Sequence, residues 1–398
     1  MAQTDQQVLT GVQRVIADRS LIRGSRVGLL TNFTGTAPDL GRSIDALRGA
    51  GVPITALFAP EHGLGGAAQA GAASSAAVDG RTGLPIYDTY LASSQDLDLM
   101  LAASGVDELV FDMQDIGVRF YTYVWTLFDL MHSAARIGIR FTVLDRPNPL
   151  GGALAAGPGI ASAEYASFVG RTDIRQRHGL SAGELARLFV SRDLARAGLA
   201  VDLTVVQMQG WDASRGFAAT GTIWVPPSPN MPTLDTAYAF CGTGLLEGTT
   251  LSEGRGTTRP FEIVGAPFLS DGFAQTVRAL GLPGVVVREV EFEPTFHKFA
   301  GELCRGIQLH IVDRVAYEPV RTAVEILRLA RADAPDAVHS LAAGERLDPG
   351  DRGYALDRLW GSSTLRRALD EEGDFDSLSV SSTRVDALYG DDVLLYPR

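Results

Sequence analysis

A glutamate and a histidine stand side by side in the stretch Phe58–Gly66, which reads FAPEHGLGG. They follow the apolar run PITALF, which has the composition of a buried strand. A carboxyl group at the end of such a strand is partly removed from water, and this favours the protonated form that a general acid needs. Glu61 is therefore a candidate acid/base and His62 a candidate partner. A strand-end carboxylate that caps the next helix would give the same pattern.

A denser cluster follows in the segment DMQDIGVRFYTY, which spans 112–123. It combines hydrogen-bonding groups with flat aromatic faces, and sugars present hydroxyls at their edges and C–H groups on their faces. The candidates for catalysis or substrate binding in this segment are Asp112, Gln114, Asp115, Arg119, Tyr121 and Tyr123. The alternative is structural: Asp115 and Arg119 would form a helical i,i+4 ion pair, and the tyrosines would be core residues.

The segment LDRPNPLGG contributes three further candidates, Asp145, Arg146 and Asn148. Its prolines lack backbone donors and stiffen the loop. An arginine on a rigid loop suits the recognition of a carboxylate, because the guanidinium group binds a carboxylate through two parallel hydrogen bonds. A purely structural turn is the alternative.

A glycine-rich loop, EGTTLSEGRGTTRPFE, covers Glu247–Glu262. Its backbone N–H groups lie beside the two cations Arg255 and Arg259, and this combination favours the binding of an anionic or heavily hydroxylated ligand. The alternative is a flexible surface loop with no ligand. The candidate side chains here are Glu247, Ser252, Glu253, Arg255, Thr257, Thr258 and Glu262.

Two familiar patterns are set aside. GLSAG at 179–183 matches the nucleophile elbow of serine hydrolases, but the residues before it, TDIRQRH, are polar and do not form the apolar strand that the elbow requires. Ser181 and Glu184 instead predict a capping box that opens a helix. His178 remains a candidate site residue. Neither the G-x-G-x-x-G motif of dinucleotide sites nor the H-E-x-x-H spacing of zinc sites occurs.

The elements that must position these residues alternate between strands and helices. Predicted strands lie at 26–32, 53–60, 107–115, 139–149 and 200–208, with predicted helices at 43–51, 121–138 and 181–198. This rhythm predicts an α/β fold with a mostly parallel sheet and helices on both faces. In such sheets ligands bind beyond the carboxyl ends of the strands, where the clusters around Glu61, Asp112 and Asp145 are expected to converge.

Proline becomes dense in WVPPSPNMPT at 224–233, and the composition is more mixed beyond it. We therefore predict one domain over 1–228 and a second, smaller α/β domain over 229–398, which contributes the SEGRGTT loop to a cleft between the two. The tail predicts strands at 284–292 and 306–313 and helices at 318–332 and 363–373.

The composition excludes several classes of function. The 398 residues carry a formal net charge of −12, which argues against nucleic acid as a partner. Lys298 is the single lysine of the sequence and lies in no phosphate-loop motif, so a phosphate-loop lysine is excluded. Cys241 and Cys304 form neither a zinc motif nor a disulfide framework. No run approaches a membrane span and no secretory leader is seen, which predicts a cytoplasmic protein, or a periplasmic or secreted one if a leader was removed.

Taken together, the motifs resemble the NamZ-type exo-β-N-acetylmuramidases, a family of glycoside hydrolases. The resemblance rests on APEHGLGG, FDMQDIGVRFYTYVWTL, VLDRPNPLGG, RHGLSAGELA, WVPPSPNMPT and LEGTTLSEGRGTTRPFEIVGAPF, in that order. It implies a Rossmann-like domain, an auxiliary domain, and an active site in the cleft between them. The chain has HGLS where the family pattern has HGMT, and Cys241 lies in a segment that usually contains Tyr or Pro.

The resemblance also implies the removal of terminal N-acetylmuramic acid from the non-reducing end of peptidoglycan fragments. The lactyl carboxylate of that sugar needs a local cation, for which Arg119, Arg146 and Arg255 are candidates. We predict Glu61 as the acid/base. The second carboxyl group is left open among Glu253, Asp112 and Asp115, as is participation by the substrate's acetamido group.

The predicted catalytic residues are therefore Glu61, His62, Asp115 and Glu253, with Asn230 added to the substrate-binding set. No cofactor or metal is predicted, and the expected partner is a small saccharide, with no nucleic acid and no membrane insertion. Two other functions are compatible with the residues: a non-catalytic muropeptide- or sugar-binding module, and an amide or ester hydrolase that acts on cell-wall fragments.

Overall fold

The structure is a computed structural model, and it describes residues 7–66, 77–342, 353–371 and 373–398. The chain forms two compact units, each discontinuous in sequence. Unit 1 comprises Met1–Leu154, His178–Pro229 and Arg384–Arg398, and unit 2 comprises Ala155–Arg177 and Asn230–Thr383. Relative to a single cut at residue 228, the segment 155–177 thus groups with the second unit and the last fifteen residues group with the first.

Unit 1 is built on a six-stranded parallel sheet. The strands are β1 (Val27–Thr31), β2 (Ile54–Ala59), β3 (Ile86–Asp88), β4 (Glu108–Asp112), β5 (Arg140–Leu144) and β7 (Leu203–Val206), in the spatial order β3-β2-β1-β4-β5-β7. The register pairs Leu30 of β1 with Phe58 of β2 on one side and with Phe111 of β4 on the other. Because β1, β2 and β3 follow one another outward in one direction and β4, β5 and β7 do so in the other, the strand order reverses between β1 and β4.

The helices of unit 1 are α1 (Gly11–Ala17), α2 (Ser43–Gly49), α3 (Ser94–Ser104), α4 (Tyr123–Ile137) and α5 (Ala182–Leu188). Val12 of α1 and Leu47 of α2 belong to one buried core with Val27, Leu29 and Val110 of the sheet. Side chains alternate along a strand, so neighbouring positions such as Leu30 point to the opposite face of the sheet. Helices α4 and α5 pack against each other and against β5. The predicted fold class is confirmed.

The predicted capping box at the start of α5 is confirmed. Ser181 Oγ accepts a hydrogen bond from the backbone N–H of Glu184, and Glu184 Oε2 accepts one from the backbone N–H of Ser181. Ser181 Oγ also donates to Asp145 at 2.7 Å. The hydroxyl is therefore committed to the fold. The helix does not run as one α-helix to residue 198, because a π-helical turn, Phe189–Leu194, follows α5.

Unit 2 contains an antiparallel sheet and a helical layer. The sheet joins β8 (Ile263–Ala266), β10 (Cys304–Ile311) and β9 (Val285–Phe292) in that spatial order. The helices are α6 (Leu234–Thr243), α7 (Phe273–Ala279), α8 (Pro319–Asp333), α9 (Ala355–Trp360) and α10 (Thr364–Asp370). Two short strands, β6 (Leu154–Ala156) and β11 (Ser382–Arg384), lie where the chain passes between the units. Among the described residues, no helix combines the length and apolar character that a membrane crossing demands.

Candidate active site

The polar residues of unit 1 gather beyond the carboxyl ends of β1, β2 and β4. Parallel strands end at the same edge, and the reversal of strand order between β1 and β4 leaves a crevice there because the connections on its two sides run apart. A direct bond joins the two loops at this point: the backbone N–H of Gln114 donates to Thr34 Oγ1 at 2.9 Å. The edge predicted from sequence is thus the place where this topology puts a ligand site.

Glu61 lies on a tight turn directly after β2. Its side chain is 7% exposed, and Thr122 Oγ1 at the start of α4 donates a 2.8 Å hydrogen bond to Oε2. His62 has φ of 70°, an uncommon value for a residue with a side chain. Gly66 also has a positive φ, and a Cβ there would meet the ring of Phe33. The glycine lets the turn fold tightly against the loop after β1.

Asp115 is another buried carboxyl group at this edge and is 6% exposed. Its Oδ2 accepts a hydrogen bond from the backbone N–H of Gly117 at 2.7 Å and lies 3.3 Å from Nε2 of His178. The backbone N–H of Leu180 donates to His178 Nδ1, so the imidazole proton of the neutral ring sits on Nε2, toward Asp115. Asp115 Oδ1 is buried and has no hydrogen-bond partner in the described part of the chain.

Two tyrosines line the same edge. The rings of Tyr121 and Tyr123 pack edge to face with centroids 4.9 Å apart, and Tyr123 Oη donates to the carbonyl of Pro227. Burial raises the pKa of Tyr121 well above its ordinary value, and the negative charges of Glu61 and Asp115 add to this shift. Tyr121 therefore keeps its proton.

Asn32 is a member of this cluster that the sequence analysis missed. It follows β1 directly and is 3% exposed. Its Oδ1 accepts two hydrogen bonds from Thr34, one from the backbone N–H at 2.9 Å and one from Oγ1 at 2.6 Å. The amide lies beside the Tyr123 hydroxyl. A signal was present, because Thr31 and Asn32 end the strand RVGLLTN as Glu61 and Asp112 end theirs.

The other predicted residues near β4 and β5 make contacts within the fold. Asp112 and Arg146 form a buried ion pair, with Nε and Nη2 of the guanidinium group 2.7 and 3.0 Å from the two carboxylate oxygens. Gln114 donates to the carbonyls of Asp115 and Pro147, and Asn148 donates to the carbonyl of Leu180. Their assignment to substrate binding stays a prediction.

Arg119 is completely buried. It lies before α4, which begins at Tyr123, so the alternative of a helical i,i+4 pair with Asp115 does not apply. The carbonyl of Arg119 accepts a hydrogen bond from Trp125 Nε1. Its role in binding the lactyl carboxylate stays a prediction.

Asp145 is also completely buried. Its Oδ2 accepts hydrogen bonds from Tyr396 Oη and Ser181 Oγ, and its Oδ1 accepts one from the backbone N–H of Gly183. Burial raises the pKa of Asp145 to about 6, although these hydrogen bonds oppose the shift. The contacts give this carboxylate a structural function, tying the C-terminal segment to α5; its predicted part in substrate binding is untested.

The raised pKa of Asp145 predicts a pH-dependent stability. The folded protein holds the proton more tightly than the unfolded chain, whose ordinary value is 3.8, so the contribution is greatest below pH 3.8 and is lost as the pH rises through about 6. The free energy of unfolding should fall by roughly 3 kcal/mol over this window relative to Asp145→Asn. Urea unfolding from pH 3.5 to 8 measures the difference, with Asp376→Asn, an exposed site, as the control. Parallel pH curves for wild type and Asp145→Asn would contradict the prediction.

In unit 2, the predicted carboxylate Glu253 lies at the centre of a cluster of basic side chains. It is 0% exposed; Lys298 Nζ contacts Oε2 at 3.0 Å, and His297 Nδ1 and Arg255 Nε lie 3.2 and 3.5 Å from Oε1. Burial opposes the charged form, but Lys298, His297 and Arg255 together outweigh it and hold the pKa of Glu253 well below its usual range. Glu253 is therefore a stable anion.

The remaining candidates of the glycine-rich loop mostly bond to the loop itself. Glu247 Oε1 accepts from Arg255, Ser252 Oγ accepts from the N–H of Gly254, and Thr257 Oγ1 donates to the carbonyl of Gly254. Asn230 is buried at the point where unit 2 resumes. The substrate-binding roles predicted for these residues are untested. In the described residues, no group of three His, Cys, Asp or Glu side chains is arranged to hold a metal ion.

Comparison with known proteins supports a family assignment. A family model described as "Exo-beta-N-acetylmuramidase NamZ, N-terminal" matches residues 27–235, and its C-terminal counterpart matches residues 238–385. A protein of Bacillus subtilis (strain 168), named peptidoglycan beta-N-acetylmuramidase NamZ, is 41% identical over 367 residues, which are 92% of this chain and 84% of that protein.

Two solved structures from Bacteroides fragilis NCTC 9343, both described as DUF1343 family proteins, share the fold. One has a TM-score of 0.83 at 32% identity and covers 93% of each chain. The other has a TM-score of 0.71 at 24% identity, covers 98% of this chain and 99% of its own, and speaks to the fold alone. With both family models matched in order and this identity to a curated relative, the chain belongs to the NamZ family of exo-β-N-acetylmuramidases.

Proposed function

We propose that this chain is an exo-acting glycoside hydrolase that releases terminal, non-reducing N-acetylmuramic acid from peptidoglycan fragments during cell-wall turnover. The observation that carries the proposal is that two carboxyl groups, Glu61 after β2 and Asp115 after β4, are both buried at the same edge of the sheet. Hydrolysis of a glycosidic bond commonly uses two carboxyl groups with different functions. The family assignment supports the same reaction.

Glu61 is the general acid/base of the proposed reaction. In the first step its proton goes to the glycosidic oxygen as the bond to the anomeric carbon breaks, and a water molecule then supplies the hydroxyl of the product and returns a proton to Glu61. The hydrogen bond from Thr122 Oγ1 to Oε2 fixes the carboxyl group at this edge of the sheet. His62, on the same strained turn, is proposed to help orient the sugar.

Asp115 is the second carboxyl group of the proposal. Of the three candidates, Asp112 is bound through both oxygens by Arg146, and Glu253 is held by Lys298 within unit 2. Asp115 has one oxygen bonded to Gly117 and the other buried without a partner in the described residues. Its location beyond β4, at the reversal of strand order, also supports this choice.

Incubation with a chromogenic β-N-acetylmuraminide, without added metal or nucleotide, tests the activity. Release of the chromophore, unchanged by excess chelator, is the expected result. Binding without release would replace the proposal with a sugar-binding module, and loss of peptide or ester groups from muropeptides without cleavage of the glycan would replace it with an amide or ester hydrolase.

The exo-specificity has its own test. Glycan fragments that begin with N-acetylmuramic acid at the non-reducing end should lose that sugar, while fragments capped there by N-acetylglucosamine should stay intact. Mass spectrometry of both digests distinguishes the outcomes. Internal cleavage of the capped fragments would contradict an exo-acting enzyme.

A further inference from the structure

Three side chains of the unit 1 site, Asn32, Asp115 and His178, each have a buried polar atom with no hydrogen bond in the described part of the chain. Nε2 of His178 faces Oδ2 of Asp115 at 3.3 Å, whereas Nδ2 of Asn32, a donor, and Oδ1 of Asp115, an acceptor, face no such group that the structure describes. A buried polar atom without a partner is costly, so native proteins rarely keep one unless something else supplies the bond. A donor and an acceptor left over at one site together indicate the chemistry of the group that satisfies them.

The two atoms belong to neighbouring loops. Asn32 follows β1 and Asp115 follows β4, and Thr31 at the end of β1 pairs with Asp112 at the end of β4. Thr34 links the loops, because it bonds Asn32 through its hydroxyl and also accepts from the N–H of Gln114. Both loops therefore form the same wall of the crevice.

The orientation of each side chain is set by its other atoms. Thr34 occupies Oδ1 of Asn32 through two hydrogen bonds, so the amide NH₂ must point away from Thr34. Gly117 and His178 face Oδ2 of Asp115, so Oδ1 points away from them. Thr34 and His178 are thus positioning residues. Asn32 Nδ2 lies on the side of the Tyr123 hydroxyl but makes no hydrogen bond in the described residues, so it and Asp115 Oδ1 remain to meet a ligand.

We propose that Asn32 and Asp115 bind the 2-acetamido group of the sugar, with Asn32 Nδ2 donating to its carbonyl oxygen and Asp115 Oδ1 accepting from its N–H. A secondary amide presents one donor and one acceptor, and in the trans form these point in opposite directions, so an amide that lies between the two side chains can bond to both. The inference rests on the proposed function and deepens it. It gives Asn32 a specificity function and Asp115 a contact with the substrate.

Two near-isosteric variants test the inference. In Asn32→Asp, Thr34 retains one oxygen, so the second oxygen replaces the NH₂ group and faces the acetamido carbonyl. In Asp115→Asn, the amide oxygen stays on the N–H of Gly117, so the NH₂ group replaces Oδ1 and faces the acetamido N–H. Asn32→Asp places two acceptors against each other and Asp115→Asn two donors, so each variant should weaken binding of the N-acetyl sugar by about 10- to 100-fold.

Calorimetric titration with N-acetylmuramic acid and with its 2-hydroxy counterpart, 3-O-lactylglucose, provides the readout. The wild type should prefer the acetylated sugar at least ten-fold, and both variants should lose this preference while binding the hydroxy sugar within about three-fold of wild type. Asp376→Asn, an exposed change in unit 2, is the control and should behave as wild type. Equal losses on both sugars would overturn the inference, whereas a wild type that binds neither sugar and cleaves no muraminide would overturn the proposed function with it.

The wild type alone gives a second measurement that does not depend on the variants folding. A sugar with an O-acetyl group in place of the N-acetyl group keeps the carbonyl but lacks the N–H. It should bind about ten-fold or more weakly than N-acetylmuramic acid, because Asp115 Oδ1 loses its donor. Equal affinity for these two sugars would overturn the assignment of Asp115.

Discussion

Glu61→Gln should fold as the wild type does and lose at least ~10²-fold in turnover of a β-N-acetylmuraminide, because general acid–base catalysis is worth about that much. Glutamine has nearly the same shape, and its amide oxygen can still accept the hydrogen bond from Thr122. What the variant lacks is a proton to transfer. Steady-state kinetics with the chromogenic substrate measures the loss, and it should fall on kcat more than on KM.

Glu302→Gln is the matched control, because Glu302 is exposed and lies in unit 2. Its turnover should equal that of the wild type. Thermal unfolding of both variants shows whether the fold is intact. A folded Glu61→Gln protein with near-normal turnover would remove Glu61 from the mechanism, and a loss shared by the control would point to a general effect of lowering the negative charge.

Lys298→Met should destabilise unit 2 by about 3–5 kcal/mol, because it removes one partner of a buried ion pair and leaves the other charge uncompensated. Lys298 Nζ donates to the carbonyls of Leu246 and Leu251 at 2.8 Å each, besides its contact with Glu253. The ammonium group therefore joins both ends of the segment 246–253. Methionine matches the length of the stem but supplies no donor.

Urea unfolding and amide hydrogen exchange measure this effect. Exchange should accelerate in peptides from α6 and α8 of unit 2, with the sheet of unit 1 as the internal reference. Arg288→Met, an exposed change on β9, is the control. The double variant Lys298→Met with Glu253→Gln should recover part of the lost stability, since it removes the uncompensated negative charge of Glu253. An unfolding midpoint unchanged from wild type would contradict the structural function of Lys298.

The fold of unit 1 could be predicted to a large extent because its signals are local. Strands buried on both faces produce apolar runs such as ELVF, and these runs need no knowledge of their neighbours. The capping box at Ser181 is a four-residue pattern with a local hydrogen-bonding cause, and the structure confirms it. The edge where the candidate residues gather was predictable for the same reason, because polar residues that directly follow buried parallel strands all lie at the same edge of the sheet.

Partners distant in sequence were not predictable in this way. For Arg146, a candidate for binding a substrate carboxylate, the sequence did not indicate the partner it has in the fold, which is Asp112, 34 residues earlier. In the sequence Lys298 is notable only as the single lysine, whereas in the fold it contacts Glu253, 45 residues away. The position of an arginine or lysine in a sequence does not indicate which acidic side chain it will contact, since that depends on how the elements pack.

The amino-acid sequence by itself determined the elements of this protein, the strand ends that bear its carboxyl groups, and the motifs of its family, because each of these depends on residues close together in the chain. Only the tertiary structure decided which carboxylates are committed to cations, and that Asn32 and Asp115 each keep one buried atom for a ligand. The physical reason is that a hydrogen bond is satisfied or left open by atoms in space. The crossovers bring β1 beside β4, so the loops that carry those atoms adjoin.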